Sequence, residues 1–187
     1  MGIFNFPFIW HFNTYIADFF KLFLAVVIVS MMANEYSYGT LKQNLIDGLS
    51  KKEFILSKFL TVVLFSLLST VFVSVMSLIL GYFFSSYNEP DIIFSQMGYL
   101  AAYFLKLVQF FTVCLFLGIL IKRSAFALGF LIALYIGEMI TYGTLNGHAF
   151  EKGTAERVSA YFPMISNMNL IPEPFTRLDG IRGIQAA

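Results

Sequence analysis

The sequence predicts an all-α membrane protein with about four transmembrane helices and one short amphipathic helix on the cytoplasmic side. Two observations carry this. Of the 187 residues, 58% are hydrophobic and only 12% charged, against roughly 45–50% apolar and about a quarter charged in a soluble domain. The apolar residues also fall in runs long enough to cross a bilayer core, which takes about 20 residues: approximately 12–33, 59–84, 96–121 and 125–145. A single transmembrane domain over 1–187 is expected, with 146–187 as an external tail.

The N-terminal MGIFNFPFIWHF has no basic region and no small-residue cleavage site, so it does not read as a signal peptide. Phe6 stands where a myristoylation motif on Gly2 would place Ser or Thr. The first run, 12–33, carries Asp18 and Lys21. The second, FLTVVLFSLLSTVFVSVMSLILGYFF, carries no charge and is too long for a buried strand. A membrane β-barrel would need segments of about ten residues with alternating polarity, and none of these runs alternates.

On the second run Ser66, Thr70, Ser74, Ser77 and Gly81 recur at spacings of four, four, three and four, which puts them on one helical face. Such a face lets another helix approach closely; a conduit wall is the alternative. The third run holds Lys106 and the lone cysteine, Cys114, which excludes an intramolecular disulfide and suits a buried packing thiol. The fourth holds Glu138 and ends in the weak pair Gly143 and Gly147.

Basic residues orient the chain. Lys42, Lys51, Lys52 and Lys58 crowd the first connection, Lys122 and Arg123 occupy the third, and the second has neither Lys nor Arg. The first and third are therefore expected in the cytoplasm and the second outside. The tail follows the second outside, although it carries Lys152, Arg157, Arg177 and Arg182. Within it, 154–161 is expected to be a short helix before Pro163, while Pro172 and Pro174 keep IPEPF extended.

The first connection, EYSYGTLKQNLIDGLSKKEF, is the polar interruption of this apolar chain. Leu41, Leu45 and Leu49 recur every four residues with Lys42, Gln43 and Asp47 on other faces, the pattern of an amphipathic helix. Thr40 after Gly39 is a plausible N-cap, Gly48 a plausible stop, and Ser50 with Glu53 a capping box that starts the next helix. Such a helix either floats among headgroups with its lysines snorkelling or presents a face to a cytoplasmic partner.

At these residues the sequence resembles the type-two ATP-binding-cassette (ABC) exporter permease family. Glu35, then Gly39-Thr40-Leu41-Lys42, then Gly48-Leu49-Ser50-Lys51-Lys52 and Lys58 match its pattern in order. Lys122-Arg123-Ser124 and the late LIPEPF fit it too. The family usually has six spans, and this chain reads as four, as though the first and last were missing. The resemblance implies a coupling helix at Glu35, Gly39, Thr40, Leu41, Lys42, Leu45 and Leu49 that docks on an ABC ATP-binding subunit. It also implies a second permease subunit, in a homo- or heterodimer, and a multi-pass place in a bacterial plasma membrane. The function so implied is the permease of an ATP-driven exporter; the alternative is a non-transporting scaffold or assembly protein with a lipid-binding loop.

The chain itself has no G-x-x-x-x-G-K-[ST] and no H-E-x-x-H. It is not expected to be an enzyme or to hold a cofactor or metal, so any ATPase is another chain. Besides protein subunits and membrane lipid no partner is expected, and no nucleic acid. His11 and His148 read as ordinary external loop residues. Asp18, Lys21, Lys106 and Glu138 are the ionisable residues inside spans. Counted from the external helix ends they lie about 6 to 11 residues deep, or roughly 9–16 Å. Each costs roughly 2.5–3.5 kcal/mol at a helix centre if unpaired. Two acids and two bases at one level are expected to neutralise each other, either fixing helix packing or lining a substrate path, with snorkelling of Asp18 and Lys21 as the remaining possibility. Lys106 is expected to pair with Glu138 or Asp18.

Overall fold

The computed structural model describes residues 3–86, 89–148 and 154–175. Among them are nine helices and no strand: α1 (Phe8–Phe19), α2 (Lys21–Ser37), α3 (Thr40–Ile46), α4 (Lys51–Phe84), α5 (Pro90–Phe94), α6 (Gly98–Ile121), α7 (Ser124–His148), α8 (Thr154–Ser159) and α9 (Pro163–Asn169). Three stretches are long and apolar enough to cross a membrane, Lys51–Phe84, Pro90–Ile121 and Ser124–Asn146. Of the tail, Lys152, Arg177 and Arg182 lie outside the described residues, as does Gly2.

The expected first span, 12–33, is not one helix. It is divided at Phe20 into α1 and α2, which meet at 48° and pass as a span only as a bent pair. Neither proline nor glycine is present there. The Phe20 amide instead bonds the Ala17 carbonyl at 3.1 Å, an i to i−3 bond, and Phe23 bonds back to Phe20 in the same way at 3.1 Å. This 3₁₀-like tightening turns the axis, and it falls between Asp18 and Lys21.

α4 starts at Lys51, well before the apolar run begins, because Ser50 and Glu53 form the expected capping box: the Glu53 amide donates to Ser50 Oγ at 3.2 Å and the Ser50 amide to Glu53 Oε2 at 2.8 Å. Its 34 residues make about 51 Å at 1.5 Å each, against a hydrocarbon core of about 30 Å. The first two turns, with Lys51, Lys52, Glu53 and Lys58, therefore stand beyond the apolar section.

α6 is the central helix. It packs on α1, α2, α4, α7 and α9, and buries Tyr103, Leu107, Phe110, Phe111 and Cys114 in a core shared with Ala25, Val29 and Met32 of α2 and Val62 of α4. Cys114 is fully buried, as its packing role requires. The small-residue face of α4 points inward: Ser66, Thr70, Ser77 and Gly81 are buried and Ser74 half-buried. The hydroxyls of Ser66, Thr70 and Ser77 return to carbonyls four residues back, at 2.7–2.9 Å, so their polarity is satisfied within the helix. Ser77 Oγ also accepts from Asn13 Nδ2 at 2.9 Å, which ties α4 to α1. α7 is the least enclosed of the three long apolar stretches.

Candidate functional site

Three of the four expected intramembrane charges come together. Asp18, near the end of α1, lends one oxygen, Oδ2, to two ammonium groups: Lys21 at the start of α2 at 2.9 Å and Lys106 of α6 at 3.0 Å. The bend at Phe20 makes this possible, because Asp18 and Lys21 sit on either side of it. Lys106 is almost wholly buried, its side chain 2% exposed. Lys21 Nζ also donates to Asn167 Oδ1 at 2.7 Å and lies 5.0 Å from the Phe110 ring centre, a cation–π distance.

Glu138 does not join them, a correction to the expected four-membered cluster. Its Oε2 accepts the amides of Met164 at 2.8 Å and Ile165 at 3.0 Å, the first free N–H groups of α9 after Pro163. A carboxylate at a helix start gains from both the orphan donors and the helix dipole. Thus Lys106 pairs with Asp18 and not with Glu138.

The tail supplies what sequence reasoning missed. Asn167 of α9 is buried and donates to the Lys106 carbonyl at 2.7 Å and to Gln109 Oε1, besides accepting from Lys21. Gln109 Nε2 in turn donates to the Pro163 carbonyl at 2.8 Å. An asparagine in a short tail segment gives no local sign of such a role, and no helix was expected after Pro163. His11 is also corrected: it is a buried α1 residue, not a loop residue, with Nε2 donating to the Pro172 carbonyl at 2.7 Å and its ring stacked on Tyr99 at 4.3 Å. The side chain of His148 lies outside the described residues.

Between α1, α2, α6, α7 and α9 these groups line a cavity of about 320 Å³, with Asp18, Lys21, Lys106 and Asn167 on one side and Phe19, Leu22, Phe110 and Ile132 among the apolar walls.

At the basic end the polar interruption forms a clasp. Glu35, late in α2, accepts from Lys58 Nζ of α4 and, through Oε2, from Thr40 Oγ1 at 2.5 Å. Thr40 is therefore not the N-cap expected of it: Gly39 holds that position with φ +72°, in the left-handed region that suits glycine, and frees the threonine hydroxyl for Glu35. Gly48, with φ +99°, ends α3 as expected. Of the leucine edge, Leu41 packs on the core and Leu45 is half-buried, whereas Leu49 is exposed. Lys42, Gln43 and Asp47 are exposed, and so is Ile46, at 82%.

Residues 4–154 match a family described as "Protein of unknown function (DUF2705)". This match, over most of the chain, overturns the resemblance to type-two ABC exporter permeases: it rested on a few short segments, Gly-Thr-Leu-Lys and Gly-Leu-Ser-Lys-Lys among them, whereas the family match extends over residues 4–154. "Uncharacterized protein YhcI" of Bacillus subtilis (strain 168) is 28% identical over 148 residues, 68% of this chain and 47% of that protein. The chain thus spans about half the length of the curated relative it matches. No solved structure matches.

Proposed function

The chain belongs to the family described as "Protein of unknown function (DUF2705)", and from that premise we propose, on geometry, that it is a membrane-embedded subunit of an ATP-driven transport complex whose ATPase is another chain. The observation that carries the reading is the Glu35 clasp. It joins the end of α2, the start of α3 and the second turn of α4, so a push on α3 is passed to two long helices rather than absorbed by a loose loop. α2 carries Lys21 of the charge cluster at its far end, and α4 carries the inward small-residue face. A second membrane subunit and lipid are the further partners of this reading, with the weakly buried α7 as the surface available to them.

A helix that merely rests among lipid headgroups turns its apolar edge to the acyl chains. Here Leu41 is spent on the protein's own core, and the groups left outside, Tyr38, Ile46 and Leu49 beside Lys42, Gln43 and Asp47, mix apolar and polar chemistry as protein interfaces do. Ile46→Asp in the full-length complex tests this. Because Ile46 is 82% exposed, insertion and yield should be unchanged while the co-purifying ATPase falls about tenfold, the effect of losing an apolar anchor of about 1.4 kcal/mol. An ATPase retained at full stoichiometry, with weakened binding to anionic vesicles instead, would favour a scaffold with a lipid-binding helix.

A further inference from the structure

We propose that the cavity between α1, α2, α6, α7 and α9 binds an anionic amphiphile whose head group also carries an O–H or N–H donor. Three features define that class. First, the polar side carries two ammonium groups, Lys21 and Lys106, against one carboxylate, Asp18. Glu138, the other acid within the spans, is committed to the α9 amides. Among the described residues one positive charge is thus left over in an apolar surround, where an unpaired charge is costly. An anionic head removes that cost, whereas a cationic one adds to it.

Second, Asp18 places both cations on Oδ2, while Oδ1 is buried with no hydrogen-bond partner among the described residues. A buried carboxylate oxygen left so requires a donor. Asn167 cannot serve, since its amide nitrogen already bonds Lys106 and Gln109. The head group therefore needs an acceptor charge for the lysines and a donor for Asp18.

Third, the outer rim is apolar and open. Phe19, Leu22 and Ile132 line the cavity yet are 60%, 56% and 58% exposed. At about 320 Å³ the cavity is small, at the lower end of the roughly 300–1,000 Å³ of ligand pockets. It suits a head and its first carbons, with the rest of the chain lying along the exposed rim. A free inorganic anion would leave that rim unused.

The site stands apart from the transport reading, because binding is measured on this chain without any ATPase. The full chain in phosphatidylcholine nanodiscs is titrated with dodecyl phosphate at a pH where it keeps one P–OH. Dodecyltrimethylammonium and the monomethyl ester of dodecyl phosphate are each expected to bind at least about tenfold more weakly, and inorganic phosphate at least about a hundredfold. Ile132→Trp, a rim change that touches no charge, and Lys21→Gln should each weaken dodecyl phosphate about tenfold or more. Unchanged affinity in Ile132→Trp, or equal binding of the cation, overturns the site. Equal binding of the ester overturns the donor requirement. Adding phosphatidylglycerol separates two sources of the same chemistry: competition with dodecyl phosphate identifies a membrane lipid as the occupant, and undiminished binding identifies a single-chain solute.

Discussion

Asp18 carries two cations on one oxygen and none on the other, and this asymmetry sets what single changes should do. Lys106→Leu removes one of two partners but leaves Lys21, so the expected loss is about 1–3 kcal/mol rather than the roughly 3–5 kcal/mol of stranding a buried charge. Asp18→Asn in the same chain should restore part of it, with a coupling of about 1–3 kcal/mol in a double-mutant cycle read by unfolding in detergent. Glu138→Gln combined with Lys106→Leu should instead be additive to within about 0.5 kcal/mol, because their partners differ: α9 amides for one, Asp18 for the other. Strong coupling of Lys106 to Glu138 and none to Asp18 would reverse the assignment. Removing the Glu138 acceptor entirely, with Glu138→Leu, leaves two amides short of a charged partner and should cost about 2–3 kcal/mol.

Between elements, close approach is what the small residues serve. A methyl placed on Gly81 would lie 2.2 Å from Phe6 Cζ, so Gly81→Ala forces the N-terminal segment away from α4 at a cost of about 1–3 kcal/mol, the usual range for overpacking. Phe6→Leu should recover much of that loss in the double variant. Gly118→Ala meets Met32 Cβ at 3.0 Å, a smaller overlap that a slight shift between α6 and α2 relieves, and should cost less than Gly81→Ala in the same melts. The clasp belongs to this scale too. Its partners Lys58 and Glu35 are half-buried, and Glu35→Gln removes the charge while keeping an acceptor, an expected loss of about 0.5–1 kcal/mol. Glu35→Gln should then speed hydrogen exchange of the α3 amides roughly two- to fivefold while leaving the α4 core unchanged. Exchange unchanged in α3 would mean that the clasp does not hold it.

For the whole molecule, the arrangement of basic residues predicts sidedness. Cysteines at Ser50 and Ser124 should react with an impermeant reagent from one side of the membrane, and a cysteine at Asp91 only from the other, since Lys51, Lys52, Lys122 and Arg123 mark one end and the connection at Asp91 has no Lys or Arg. Labelling of Ser50→Cys and Asp91→Cys from the same side would dismantle the arrangement of spans.

Local chemistry was legible in the sequence because it rests on neighbours along the chain. The apolar runs fixed three long helices by length, Ser50 and Glu53 wrote their own capping box, Gly48 ended α3, and the spacing of Ser66, Thr70, Ser77 and Gly81 gave the inward face of α4. The break at Phe20 was not legible, because no proline or glycine marks it; it shows only in the hydrogen bonds of Phe20 and Phe23, between two helices that both pack on α6. Nor could spacing say which acid meets Lys106. Asp18 and Glu138 looked equivalent by depth, and the choice fell to α9, which packs on α6 and α7, engages Glu138 with its first amides and sends Asn167 to Lys21 and Lys106. Composition and periodicity determine which segments leave water and which faces are apolar, since those are sums over adjacent residues. Which buried charges become partners depends on distances between residues far apart in the chain, such as Lys21 and Asn167, and those distances exist only once the helices are packed.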